Sequence, residues 1–277
     1  MRWTRDYQSD NVEDRRAAGP MQAGGPGGIG ILFWLFSRFG LPGVLVGGAL
    51  LYFAGGLNLG GGEDAGSRVS DPAGEQRATG GADDPEREAV SFVSFVLDDV
   101  QKSWSAQFGI LEQRYVPAQM VLFRGRTRSA CGMGQSAMGP FYCPSDSKVY
   151  IDLSFYRELR QRLGAPGDFA QAYVIAHEVG HHVQHLLGLD ERGGSVKMEL
   201  QADCLAGVWG HSAESRNLLE VGDLEEALNA AAAIGDDKLQ RDATGTVRPE
   251  TFTHGSSAQR VAAFKTGFSS GSFAACK

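Results

Sequence analysis

Ala172-Tyr173-Val174-Ile175-Ala176-His177-Glu178-Val179-Gly180-His181-His182-Val183-Gln184 opens on an apolar run and then sets two histidines four apart around a glutamate. Residues four apart on a helix share a face, so His177 and His181 can present imidazole nitrogens to one ion while Glu178 projects beside it. A hydrolytic zinc needs this pattern: two neutral ring nitrogens as ligands and a carboxylate to take a proton from water. The apolar residues ahead of the motif bury the helix in a domain core. Asp168, three residues before Gln171, predicts a capping box at its start, and Gly188 a stop at its end.

A catalytic zinc takes a third protein ligand and keeps one position open. Glu199 is the candidate, on a helix predicted from Ser195 through Trp209 that folds back after the Gly193-Gly194 turn. Asp203, one turn further on, is placed to accept the outer ring N–H of a ligating histidine and fix its tautomer. His211 is a weaker third donor. His182 and His185 read as surface or supporting groups, because only His177 and His181 bracket the glutamate. For a developing oxyanion His254 is a candidate donor, with Tyr150 or Tyr173 as alternatives.

Working outward, Met120–Phe123 and Lys148–Leu153 read as strands, with further helices over Asp223–Ile234 and after His254. Ala89, Val93, Val96, Val100 and Trp104 recur at helical spacing behind Asp84-Pro85, which supplies a cap and a first-turn proline. The expectation is an α+β fold, mainly helical with a small β-sheet, in a domain over 85–277.

The paired stretches Ala172–Gln184 and Glu199-Leu200-Gln201-Ala202-Asp203-Cys204-Leu205-Ala206-Gly207-Val208-Trp209 strongly resemble the bacterial putative neutral zinc metallopeptidase family. Gly139-Pro140-Phe141-Tyr142-Cys143-Pro144, Phe252-Thr253-His254-Gly255-Ser256 and Gln259-Arg260 extend the likeness, which covers roughly Ala89 to the C-terminus. The resemblance implies a zincin-like, gluzincin-type domain. It implies one Zn2+ held by His177, His181 and Glu199 with Asp203 behind them, Glu178 as general base, and a peptide or protein substrate. The strand at Val149–Leu153 is then a candidate for aligning that substrate by main-chain hydrogen bonds. The competing reading is a membrane-tethered binding or scaffold protein with a structural or inactive zinc site. It leaves Glu178 without a purpose, because a structural zinc closes on four protein ligands.

Residues 1–28 read as a polar arm, 29–59 as a transmembrane anchor region and 60–84 as a flexible linker. The run from Phe39 to Gly62 carries no charge and holds Leu41, Val44, Leu45, Val46, Leu50, Leu51, Tyr52 and Phe53, enough for one membrane span. Arg2, Arg5, Arg15, Arg16 and Arg38 precede it, which predicts a single-pass bacterial membrane protein, N-terminus cytoplasmic and catalytic domain outside. In that oxidising compartment Cys131, Cys143, Cys204 and Cys276 can form two disulfides. Of three pairings, a local Cys131–Cys143 bridge with Cys204–Cys276 left over is preferred; four reduced thiols are the alternative. The formal charge of −7, with no dense Lys/Arg block, argues against a nucleic-acid partner.

Overall fold

The structure, a computed structural model, describes residues 1–18, 84–189 and 195–277. The first long helix, α1 (Arg87–Ile110), buries Val93, Val96, Val100 and Trp104 on one face, following the predicted spacing. It starts two residues after Pro85. Asp84 accepts a hydrogen bond from the Glu86 backbone rather than acting as the cap residue.

A four-stranded sheet follows, in the order β1 (Val12–Asp14), β2 (Gln119–Phe123), β6 (Lys148–Asp152), β5 (Phe141–Cys143). β1 and β2 pair in parallel, as do β2 and β6, whereas β5 runs antiparallel to β6. Val121, Leu122, Val149, Tyr150 and Ile151 are all fully or almost fully buried, as strands covered on both faces require. A separate hairpin, β3 (Arg126–Ser129) and β4 (Gly132–Gln135), lies between β2 and β5 in the chain. Sequence patterning gives no sign of β1, β3, β4 or β5, because each is four residues or fewer.

The remainder is helical: α2 (Ser154–Gln161), α3 (Asp168–Leu186), α4 (Ser195–Ser215), α5 (Asp223–Ala233), α6 (Asp236–Thr244) and α7 (Ser257–Ser270). Two glycines set how closely these helices approach. A Cβ on Gly180 would lie 3.0 Å from the Ala202 carbonyl oxygen, so α3 and α4 meet backbone to backbone where the motif sits. A Cβ on Gly267 would fall 1.8 Å from the Cys204 carbonyl oxygen, so no larger residue lets α7 lie against α4. Cys131–Cys143 and Cys204–Cys276 are both disulfide-bonded, the expected pairing.

The membrane expectation is overturned. Among the described residues no helix is long and apolar enough to cross a bilayer. The anchor at 29–59, most of the linker and the Gly193-Gly194 turn lie outside the described residues. A single crossing would nevertheless put the chain before it and the chain after it on opposite sides. Instead Val12, Glu13 and Asp14 pair in register with Met120, Val121 and Leu122. The Arg16 guanidinium, nearly buried, meets Asp84 at 2.6 Å and Glu86 at 3.0 Å. The single-pass topology, its transmembrane helix, the membrane as partner and the two-sided localisation are therefore withdrawn. An apolar run reports its own hydropathy and nothing of where its flanks meet.

Candidate metal centre

The helix α3 forms over the apolar run as expected, and its N-terminus is secured differently. Gly167, at φ +124°, precedes it, and Asp168 is its first residue. Glu226, reaching from α5, accepts the Phe169 amide at 3.0 Å. The predicted capping box is thus replaced by a carboxylate from another helix, while the first-turn Asp168 still suits the positive end of the dipole. Gly188 ends the helix at φ +62°.

His177 and His181 lie one turn apart on α3, and Glu199 faces them from α4. Nε2 of His177 is 3.1 Å from one Glu199 oxygen, and Nε2 of His181 is 3.5 Å from the other. These donor atoms all fall within 4.8 Å of one another, a spacing one ion can satisfy. The donor set fits zinc, because two imidazoles and one carboxylate leave a fourth position for water or substrate. Each ring is also turned so that its other nitrogen is engaged: Nδ1 of His177 lies 2.8 Å from Asp203 Oδ1, and Nδ1 of His181 lies 2.8 Å from Gln184 Oε1. Both Nε2 atoms are thereby aimed into the space shared with Glu199.

Asp203 is completely buried, which an isolated carboxylate could not tolerate. Arg260, from α7, donates to Oδ2 at 2.8 Å and to Oδ1 at 2.9 Å, and the Tyr173 hydroxyl donates to Oδ1 at 2.5 Å. Burial pushes the Asp203 carboxyl up, but Arg260 and His177 outweigh it and hold it below its ordinary value. For His177 burial opposes charge, yet Asp203 and Glu199 prevail and raise its pKa to about 10 by these groups alone. Burial drives Glu199 upward and the two histidines bring it down below the carboxylate range. Glu178 moves the other way: burial raises it, with the neighbouring histidines only partly compensating. The two carboxylates are thus shifted in opposite directions, Glu199 down and Glu178 up.

The remaining candidates separate cleanly. His254, half exposed, lines the same cleft as the triad and has Nδ1 3.3 Å from Asp236. Tyr173 is committed to Asp203 and Tyr150 donates to Asp146, so neither hydroxyl is presented to the cleft. Nε2 of the buried His182 donates to the Val116 carbonyl at 2.7 Å, and its Nδ1 accepts from Tyr142. His185 lines the cleft, whereas His211 donates to the Phe268 carbonyl and lies outside the cluster. A second cluster with ligand-like spacing, Asp168, Asp223 and Glu226, surrounds the Met1 ammonium, 2.7 Å from Asp168. Sequence reasoning missed Gln184 and gave Arg260 no role. Gln184 sits three residues after His181, the next position on that face, which was a usable signal. Nothing local connects Arg260 to an aspartate 57 residues away.

The triad and Glu178 open onto a cleft of about 640 Å³. Its walls include Phe155 and Leu163 from α2 and its C-terminal turn, Val174 from α3, Ile234 and Leu239, and, in a last wall, Ala137–Tyr142 with Pro144. β5 is in that last wall and is the outermost strand of the sheet among the described residues; β6, the strand expected to align a substrate, lies inside it between β2 and β5.

Comparison with known proteins bears on this geometry. The family model described as "Putative neutral zinc metallopeptidase" matches residues 1–277. The chain is similar to "Uncharacterized protein YpfJ" of Escherichia coli K12, 48% identical over 296 aligned positions that cover 100% of this chain and 98% of that one. It is also similar to "Uncharacterized protein Rv2575" of Mycobacterium tuberculosis H37Rv, 44% identical over 177 positions, 57% of this chain and 60% of the relative. No solved structure matches.

Proposed function

The chain belongs to the putative neutral zinc metallopeptidase family, and from that membership we propose that it hydrolyses peptide bonds with one zinc ion held by His177, His181 and Glu199. The observation that carries the reading is the convergence of these three donors beside a buried glutamate on the wall of a substrate-sized cleft. Bound there, zinc supplies Lewis acidity toward a water and the scissile carbonyl. The chain does the rest. Glu178 takes the water proton and passes it to the leaving amine, a task suited to a carboxylate whose pKa burial has raised. His254, which lines the same cleft, is the proposed donor to the developing oxyanion. Phe141 and Tyr142 of β5 line the cleft where an extended substrate would lie, and the apolar wall of Phe155, Leu163 and Val174 receives a hydrophobic side chain.

A binding protein with a structural zinc is the competing reading. The geometry favours the enzyme: among the described residues the donor cluster has three members, and Glu178 lines the same cleft, where a closed four-ligand site has no use for a base. The deciding experiment measures metal content and peptide cleavage of the full chain beside Glu178→Gln. Zinc retained with cleavage abolished supports the hydrolase; zinc retained with full cleavage removes Glu178 from the mechanism.

A further inference from the structure

We infer that Gln184 and Gln201 form a directed, uncharged relay that holds His181 with Nδ1 protonated and Nε2 bare, anchored on the disulfide-bonded C-terminal turn. It rests on the zinc reading above and adds two positioning residues to it.

The direction of the relay is set at its far end. The Cys276 carbonyl can only accept, so Gln201 must present its amide nitrogen there, at 2.7 Å. Its oxygen then faces Gln184, whose nitrogen donates to it at 3.0 Å and to the Met198 carbonyl at 2.7 Å. Both amide protons of Gln184 are thus committed, and the group left for His181 is the oxygen, 2.8 Å from Nδ1. An oxygen there is satisfied only by a proton on Nδ1, and in the neutral ring that tautomer keeps the lone pair on Nε2. Turning the Gln184 amide over would set its oxygen against two other oxygens. Gln184 is completely buried, so solvent cannot repair that mismatch.

The anchor is covalent. Cys276 is bonded to Cys204, the neighbour of Asp203 on the helix that also carries Glu199. The Cys204–Cys276 bridge therefore fixes the last acceptor of the relay to the same helix that supplies the third proposed ligand. The Met198 carbonyl is a second fixed acceptor that orients Gln184, so Gln201 and the disulfide contribute less than Gln184 itself.

The test is zinc affinity, measured by competition with a chromophoric chelator on the full chain, with thermal unfolding as a fold control. Removing a partner of a ligating histidine lowers metal affinity by roughly 10–100-fold, and Gln184→Met, which keeps length and burial, is expected in that range. Gln201→Met and the Cys204→Ser/Cys276→Ser pair should weaken zinc by less, and Cys131→Ser/Cys143→Ser not at all. In parallel, ¹⁵N NMR of the imidazoles should show His181 protonated at Nδ1 in the unaltered protein and mixed between tautomers in folded Gln184→Met. A folded Gln184→Met that binds zinc as tightly as the unaltered chain, with the His181 tautomer unchanged, overturns the relay. Failure of the peptidase reading looks different: zinc bound through the relay as described, with no peptide cleaved.

Discussion

The two proposed histidine ligands sit one turn apart on the same helix, and they are held by opposite kinds of chemistry. Behind His177 stands a buried ionic network, Asp203 neutralised by Arg260 and bonded by Tyr173. Behind His181 stand two neutral amides that end on main-chain carbonyls. Both arrangements aim Nε2 at the same point, so orientation by itself does not require charge. What charge adds is basicity: the carboxylate makes His177 a stronger donor and a stronger proton acceptor. It also ties the fold to the site, because a buried charge cannot lose its partner cheaply.

The largest expected effect comes from the residue between the two. Glu178→Gln should lower peptide hydrolysis by about 10²–10⁴-fold while leaving zinc content unchanged, as general-base loss does; parallel kinetic and metal assays check it. A drop in zinc would mean that Glu178 belongs to the ligand scaffold.

The comparison itself breaks on stability. Asp203→Ala strands the Arg260 charge in the core and should cost about 3–5 kcal/mol in urea unfolding. Gln184→Met on the other side removes a neutral partner and should cost about 1–3 kcal/mol. Adding Arg260→Met to Asp203→Ala should recover part of the loss, since removing both members of a buried pair is far milder than removing one. Equal losses for Asp203→Ala and Gln184→Met would erase the distinction.

Acidity sharpens it further. Without metal at the proposed site, His177 carries a proton up to about pH 10. Its folded value is raised, so its stabilising contribution is fully present below the ordinary 6.5 and is lost as pH rises through about 10. Zinc must displace that proton, so apparent affinity should climb with pH in this range. Asp203→Asn, which removes the counter-charge, should flatten the slope measured in chelator competition. The smallest effect concerns the cleft wall: Cys131→Ser/Cys143→Ser frees β5 from the hairpin loop and should raise KM several-fold with zinc affinity unmoved.

Much of the candidate site's clustering was legible because its parts are local in sequence. His177, Glu178 and His181 follow from helical spacing, and Glu199 with Asp203 from the same spacing on the next helix. Arg260 was not, because its partner lies on another helix and a buried arginine looks in sequence like a surface one. The strand β1 was not, because three residues pair in parallel with a strand roughly a hundred residues away, beyond any local pattern. The apolar run at 39–62 misled for the converse reason: a strong local signal implied a topology that the pairing of its flanks forbids. Both disulfides were legible in outline, one as a loop closure and the other by remainder.

The strand β1 also decides what can be removed from this protein. Val12–Asp14 covers the outer side of β2, whose Met120, Val121 and Leu122 are wholly buried. A fragment beginning near Asp84 would keep every residue of the candidate metal centre and would nevertheless bare a row of unpaired peptide groups along β2. Such a margin recruits strands from other molecules, so a fragment without Val12–Asp14 is expected to self-associate, which sedimentation beside the full chain would show.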